Sequence, residues 1–415
     1  MSIKLIPTED FDALINVVSG AYTAFDYHIP SNQSVLKERL LHIQNEDPTI
    51  SLYGYYKNEK LVGSMRFHDY EIHLHNQKLK AGGIGLVAVD LLNKKEKIAK
   101  EMLIYFLKHY QEKGATVAML YPFRPDFYKK MGFGFGTKMN LYKIKPENFP
   151  SRGSKHNIKY LTEKDKEKLL ECYNEYCLLT NGLLNKTQSE LEAIFKNPAN
   201  RIIGCEIDGK ILGYCIFNFQ KGEGTSFLIN DIQVKELVYL DTKSLNEIFT
   251  FFNSQSDQVR YIVINTQDED FYHLFSDPRN DTNHLIPFVY HESNTSGVGI
   301  MYRVLDVMRA FQSLGKKIDH NVNKIIRWNI FDSLLEENNK SIITEIKDGR
   351  LELIEKGSFE LEINIDITNL SSLYVGSISF SKLINLGLAE ISDKTVIPLV
   401  ETIFKATKPL CMSGF

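Results

Sequence analysis

Three lysines and a glutamate crowd one short turn of this chain, Asn93-Lys94-Lys95-Glu96-Lys97, and Lys100 follows one turn later. Ahead of the turn stands an apolar run, Ile84-Gly85-Leu86-Val87-Ala88-Val89, whose length and branching predict a buried strand. Behind it, Ile98, Met102, Tyr105 or Phe106, and His109 recur at three- and four-residue spacing, which predicts a helix closed by Gly114. A helix that opens directly after a strand presents unpaired N–H groups and a positive dipole end, so a phosphate is stabilised there. Lys94, Lys95, Lys97 and Lys100 suit the same anion; the plainer alternative is a solvated basic helix start. A second apolar run, Ala115 to Leu120, predicts a second strand, and the segment closes on Phe127-Tyr128-Lys129-Lys130-Met131-Gly132-Phe133. The order is strand, helix, strand, with a crossover long enough for parallel neighbours.

The elements that must position this segment are legible on both sides. Thr8-Glu9-Asp10-Phe11 begins a helix, with Phe11, Leu14, Ile15, Val18 and Tyr22 on one apolar face. Residues 50–56 and 60–67 read as strands joined by a hairpin turn at Asn58-Glu59, and 70–79 as a further strand. The first 150 residues therefore form an α/β layered domain. Pro146 to Ser154 is rich in Pro, Gly and Ser and reads as a linker. The pattern then repeats: Asp208-Gly209-Lys210-Ile211-Leu212-Gly213, with Phe217, matches Asn58-Glu59-Lys60-Leu61-Val62-Gly63 and Phe67, and Val238-Tyr239-Leu240-Asp241 echoes Val87-Ala88-Val89-Asp90. The second copy has Thr242-Lys243-Ser244 where the first has its lysine cluster, so no phosphate site is expected there. Asn294-Thr295-Ser296-Gly297 marks another break. Beyond it, strands at 342–346, 350–354 and 359–365 and helices at 379–386 and 394–404 predict an α+β domain. The expected division is 1–150, 151–297 and 298–415.

Composition narrows the function classes. A chain of 415 residues with 43% hydrophobic and 24% charged content has the make-up of ordinary globular protein in two or three domains. A net charge of −3 supplies no global basic field for nucleic acid. The five cysteines, Cys172, Cys177, Cys205, Cys215 and Cys411, have no C-x-x-C spacing, which argues against a disulfide framework or a zinc site and for a reducing compartment. No signal-peptide core follows Met1-Ser2-Ile3-Lys4 and no run is long enough to span a bilayer, so a cytoplasmic protein without a membrane or metal partner is expected.

The central segment resembles the core of the GCN5-related N-acetyltransferases (GNAT), and within them the Eis group. Val87-Ala88-Val89 fits that family's V-x-V strand. Lys94 stands at the Q/R position of its Q/R-x-x-G-x-G/A loop and Ala99 at the final Gly/Ala, while Lys97 replaces the first glycine. Tyr128 to Gly136 is similar to the family's Y-x-x-x/F-G-F/Y-G ending, and Leu370-Ser371-Ser372-Leu373-Tyr374-Val375-Gly376 resembles its L-x-S-L-Y-L-G. The chain also ends on an aromatic residue, Phe415, as Eis proteins do.

The resemblance implies two tandem GNAT folds, the second degenerate, followed by a sterol-carrier-like α+β domain. It implies acetyl transfer from acetyl-CoA to an amine of a cationic acceptor: an aminoglycoside, a polyamine or a lysine. Backbone groups of Val87, Ala88 and Val89 would hold the thioester and the pantetheine arm. Lys94, Lys95, Glu96, Lys97, Ile98, Ala99 and Lys100 would cradle the phosphates, with Phe123 and Arg124 flanking the coenzyme. Tyr128 would protonate the leaving thiolate, and the carboxylate of Phe415 would take the amine's proton. Asp26, in a turn-rich aromatic stretch, is the candidate contact for the cationic acceptor. The family further implies a homo-oligomer, a hexamer. The alternative is a non-enzymatic acyl-CoA or lipid-binding protein, and Lys97 is the residue that favours it.

Overall fold

The computed structural model describes residues 2–27, 29–222, 229–315, 318 and 322–415. They form two compact units. One comprises 1–136, 300–408 and 414–415, the other 137–299 and 409–413.

The first unit is built on a mixed sheet in the order Ser2–Leu5, Ile50–Lys57, Lys60–Leu74, Gln77–Val89, Val117–Leu120, Met301–Val304, Gly134–Phe135. Neighbours are antiparallel except Gln77–Val89 and Val117–Leu120, which run parallel across the helix Ile98–Glu112. Both faces of the sheet are covered. Along the Ile50–Lys57 strand, Leu52 and Tyr56 join a core with Phe11, Leu14 and Val18, while Tyr53 and Tyr55 join one with Met102, Phe106 and Tyr110. Side chains alternate across a strand, so a strand covered twice reads as an unbroken apolar run. The helix Ile98–Glu112 buries Ile98, Met102, Leu103, Phe106, Leu107 and Tyr110, and Gly114 at φ +81 stops it.

The hairpin at Asn58-Glu59 forms as expected, with φ of 49 and 62. The expected strand at 70–79 does not stand alone. Lys60–Leu74 is one long strand, and a second turn at His75-Asn76, φ 54 and 59, leads into Gln77–Val89. His75 is a poor turn signal in sequence; its ring is fixed from afar by a 2.7 Å hydrogen bond between Nε2 and the Tyr374 carbonyl.

A five-stranded sheet in the same unit runs Arg350–Ile354, Lys340–Lys347, Lys324–Phe331, Leu361–Asp366, Ala389–Ile391. Lys324–Phe331 and the helix Ile367–Tyr374 are elements the sequence reading did not identify. Trp328 on the former is fully buried and donates from Nε1 to Thr344 Oγ1 at 2.9 Å.

The second unit repeats the first in outline. Its sheet runs Asn294–Gly297, Met139–Ile144, Val259–Thr266, Asn230–Tyr239, Lys210–Lys221, Arg201–Ile207, Ile158–Tyr160, with the helix Thr242–Asn253 crossing between the parallel pair. The hairpin at Asp208-Gly209 has φ 51 and 81, matching Asn58-Glu59. The Pro- and Ser-rich stretch lies inside this unit, where Phe149 is buried against Phe249, Phe252 and Phe275. Residues 409–413 also pack here: Leu410 N–H donates to the Asn181 carbonyl and Cys411 N–H to Gln267 Oε1. Among the described residues no helix is long and apolar enough to cross a membrane.

Candidate active site

The site is built in the first unit where two parallel strands part. Gln77–Val89 and Val117–Leu120 pair only from Ala81↔Val117 to Gly83↔Met119. Past Gly83 the first strand bulges. Its register against Lys60–Leu74 shifts between Ser64↔Ala88 and Arg66↔Gly85, and Leu86 takes a left-handed φ of 50. Ser64 Oγ donates to the Leu86 carbonyl and the Tyr22 hydroxyl to the Val87 carbonyl, each at 3.3 Å. Val87, Ala88 and Val89 thus lie on the splayed half: Ala88 and Val89 pair with the neighbouring strand on one edge only, and Val87 falls in the bulge. Backbone N–H groups on the open edge are donors for a ligand that enters the gap.

The lysine turn lies at the same end of that strand. Lys94, Lys95, Glu96, Lys97 and Lys100 are exposed, Ala99 is half-buried, and Ile98 anchors the helix in the core. Lys95 and Lys97 both adopt left-handed conformations, φ 69 and 67. Lys97 therefore takes the backbone shape that a glycine supplies freely, at a cost of about 1 kcal/mol. Its side chain makes no cap, so the first N–H groups of the helix are left for another acceptor. Glu96 is turned to Lys57, with a 2.7 Å ion pair that holds its carboxyl below the usual range.

Tyr128 sits in the helix Pro125–Lys130, buried, with its ring edge-on to Phe127 and Phe133. Burial, and secondarily Tyr22, push its phenol up to about 12. The turn behind it is locked. Gly132 has φ +81, and a β-carbon there would meet Arg303 Nη1 at 1.3 Å. Arg303, fully buried, donates from Nη1 to the Met131 carbonyl at 2.6 Å and from Nη2 to both Asp332 oxygens at 2.6 and 2.8 Å. Asp332 in turn accepts from Leu334 N–H, Leu335 N–H and Asn338 Nδ2.

Phe415 docks on the same strand. Its ring lies 5.6, 5.3 and 5.2 Å from the rings of His68, Tyr70 and Tyr121. A β-carbon on Gly85 would stand 2.9 Å from its carboxyl carbon, so the chain end rests on the backbone two residues before Val87. Beneath it runs a polar row that the sequence reading did not single out. Arg66 Nε donates to His68 Nε2 at 2.9 Å, and His68 Nδ1 lies 3.2 Å from the Tyr70 hydroxyl. Burial, then Arg66, hold the His68 imidazole well below its ordinary range, so the ring is neutral with its proton on Nδ1. Arg66, His68 and Tyr70 alternate at period two along the strand Lys60–Leu74, and that spacing, which puts them on one face, is the signal that could have exposed them.

Other sequence candidates lie apart from this cluster's contacts. Phe123 is 79% exposed. Arg124 is tied to Asp126, two residues on, at 2.6 Å. Asp26 is exposed at φ 49, where its backbone carbonyl accepts from Ile29 N–H and Asn32 Nδ2.

Comparison with known proteins agrees with this fold. Family models for an acetyltransferase (GNAT) domain match residues 2–136 and again 182–304, and one for a sterol carrier protein domain matches 307–412. No curated protein matches the chain. Among solved structures, a GCN5-related N-acetyltransferase from Anabaena variabilis superposes with a TM-score of 0.82 at 17% identity, over 100% of both chains. One from Kribbella flavida gives 0.80 at 17%, over 100% of this chain and 98% of its own. Eis1 from Mycobacterium abscessus gives 0.75 at 17%, again over 100% of both.

Proposed function

We propose that this chain, with two acetyltransferase (GNAT) domains and a sterol carrier protein domain, is an Eis-like GCN5-related N-acetyltransferase that acetylates an amine of a cationic acceptor with Tyr128 as acid and the Phe415 carboxylate as base. The observation that carries this reading is the seat of Phe415: a carboxyl carbon resting on Gly85, beside the open-edged Val87-Ala88-Val89 segment.

In this reading acetyl-CoA lays its pantetheine arm along the gap, with its phosphates at the 94–100 turn. N–H groups of the splayed strand hold the thioester oxygen and the negative charge that develops on it. The acceptor arrives as an ammonium ion and the Phe415 carboxylate takes its proton. The freed lone pair attacks the carbonyl carbon, the nitrogen of the tetrahedral intermediate releases its second proton to solvent, and the intermediate collapses to the amide as the C–S bond breaks. The thiolate receives a proton from Tyr128. A phenol held near 12 is fully in its donor form at neutral pH, though it is a weaker acid than a thiol near 8.5. Its transfer therefore accompanies C–S cleavage, and solvent returns the proton.

The second acetyltransferase fold is read as a non-catalytic copy. The N-terminus of its helix Thr242–Asn253 is already served by a carboxylate, Asp241, which accepts from Ser244 N–H at 2.7 Å. The test is a panel of polyamines, aminoglycosides and lysine peptides assayed for acetyl-CoA-dependent thiol release, with native protein beside one extended by a single C-terminal glycine. The native protein should turn over at least one amine and the extended protein none. Equal turnover by both would remove the terminal carboxylate from the mechanism.

A further inference from the structure

We propose that the second acetyltransferase fold is a holder for the chain's own tail: Pro409 to Ser413 occupies the gap where its parallel strands part, and Gln267 and Thr137 are positioning residues for the terminal carboxylate that follows. The catalytic half of this claim rests on the reading of Phe415 as base.

Three observations converge. First, the second copy keeps the gap but fills the position that the first copy leaves empty. Asn230–Tyr239 and Val259–Thr266 pair only as far as Val234↔Ile264, so Glu236 to Tyr239 are paired on one edge. Aligning Val238 with Val87 sets Glu236 against Gly85. Where the first copy has no side chain, the second has a carboxylate, already held by Lys186 at 2.7 Å and by the Tyr214 hydroxyl.

Second, the tail is bound in this unit along its backbone. Thr137 Oγ1 donates to the Pro409 carbonyl at 2.8 Å, Leu410 N–H to the Asn181 carbonyl at 2.8 Å, and Cys411 N–H to Gln267 Oε1 at 2.6 Å. Gln267 directly follows Val259–Thr266, one arm of the gap. Leu410 and Met412 pack on the apolar cluster that includes Val238 of the other arm. Gly182, at φ +95, lets the tail come this close: a β-carbon there would stand 2.6 Å from Pro409 Cβ and 2.8 Å from Leu410 N and O. Cys411 and Ser413 are buried as a result.

Third, the Gln267 side chain is spent on the tail. It is buried, and among the described residues its Nε2 has no hydrogen-bond partner. A buried amide left half satisfied is costly, and the bond to Cys411 is what this one contributes.

A chain end frays by default, and its carboxylate then samples many positions. Phe415 is joined to Ser413 through Gly414 alone, so a tail fixed at Cys411 leaves the carboxylate little freedom. Misplacing a catalytic group by about 1 Å costs about 100-fold in rate.

The experiment uses the full chain, with acetyl-CoA and the amine that the native protein turns over fastest. It reads kcat, and the rate at which iodoacetamide alkylates Cys411, followed by peptide mass spectrometry. Gln267→Met removes the acceptor at similar volume, and Thr137→Val removes the hydroxyl and keeps the shape. Each leaves one backbone group of the tail without its partner, so Cys411 should react about 10-fold faster or more. Cys205 and Cys215, buried on the strands Arg201–Ile207 and Lys210–Lys221 of the same unit, should react as in the native protein. In both variants kcat should fall about 10- to 100-fold, with KM for acetyl-CoA within about twofold of native. Thr137→Ser keeps the hydroxyl and should recover most of both effects.

Native kcat in a variant whose Cys411 reacts faster would overturn the inference, because the tail would be loose and catalysis indifferent to it. Native Cys411 reactivity in both variants would overturn it too. So would a rise at Cys215 equal to that at Cys411 in both, which marks a general structural role. The glycine-extended chain separates the two claims. If extension abolishes turnover while both variants keep native kcat, Phe415 stands as base and the positioning role falls. If extension leaves turnover intact, Phe415 falls as base and the positioning role falls with it.

Discussion

Gly85→Ala isolates the docked chain end from the rest of the fold. The added β-carbon would lie 2.9 Å from the Phe415 carboxyl carbon and 3.3 Å from its oxygen, and Arg66 Nη2 is the next neighbour at 3.4 Å. Gly85 lies inside the strand Gln77–Val89 and is not among the positive-φ glycines, so alanine fits its backbone. Alanine in a strand interior is worth about 0.5–1 kcal/mol over glycine, and Tm should hold or rise. Carbon–carbon contact is comfortable at about 3.5–4.0 Å, so the carboxylate must retreat by about 1 Å. A displacement of that size in a catalytic group costs about 100-fold in rate, or about 2.7 kcal/mol of barrier. Thiol release at saturating acetyl-CoA should show kcat down about 100-fold with KM for acetyl-CoA nearly unchanged, because the splayed strand and the lysine turn are untouched. Native kcat in a folded Gly85→Ala protein would refute the reasoning: either the carboxylate takes no proton or its seat is not on Gly85.

Other consequences follow from individual contacts. Tyr128→Phe removes the donor and should lower kcat by about 100-fold or more with acetyl-CoA affinity kept; its phenol is held neutral up to about 12, against 10 when unfolded, so the native protein should lose stability across that window as pH rises and the variant should lose less, as read by Tm against pH. Arg303→Met leaves Asp332 buried without its cation and releases the Met131 carbonyl, so denaturant melts should show a loss of about 3–5 kcal/mol. In the second unit Lys186 is buried at 2.7 Å from Glu236, with Tyr214 also donating to that carboxylate and the Lys186 cation 4.3 Å from the Tyr173 ring. Lys186→Met should cost about 3–5 kcal/mol by the same measurement, whereas an exposed pair such as Lys196–Glu192 should cost under about 1 kcal/mol when broken.

Much of the site's framework was readable residue by residue. The apolar run at 84–89, the helix from Ile98 and its stop at Gly114 follow from periodicity and one αL glycine, and each is in place. The repeat at an offset of 150 was visible because hairpin chemistry and strand pattern recur together, and Asn58-Glu59 and Asp208-Gly209 adopt the same conformation. At Lys97 the residue letter and the backbone conformation point different ways. Sequence reads it as a lost glycine, yet its backbone takes a left-handed conformation open to glycine, directly before the buried Ile98.

What the sequence alone determined, then, is the local alphabet: which stretches are strand or helix, where they stop, and that one turn gathers four lysines at the start of a helix. Such features depend on neighbours within a few residues, where periodicity and turn preference act. The tertiary structure decided the rest. Met301–Val304 enters the first sheet between Val117–Leu120 and Gly134–Phe135, bringing Arg303 under the Tyr128 helix. His75 turns a hairpin against Tyr374, and Phe415 settles on Gly85 over Arg66 and His68. These partners lie far apart along the chain. Their meeting depends on which sheet edge stays open and which glycine leaves room, and no short window of residues encodes that.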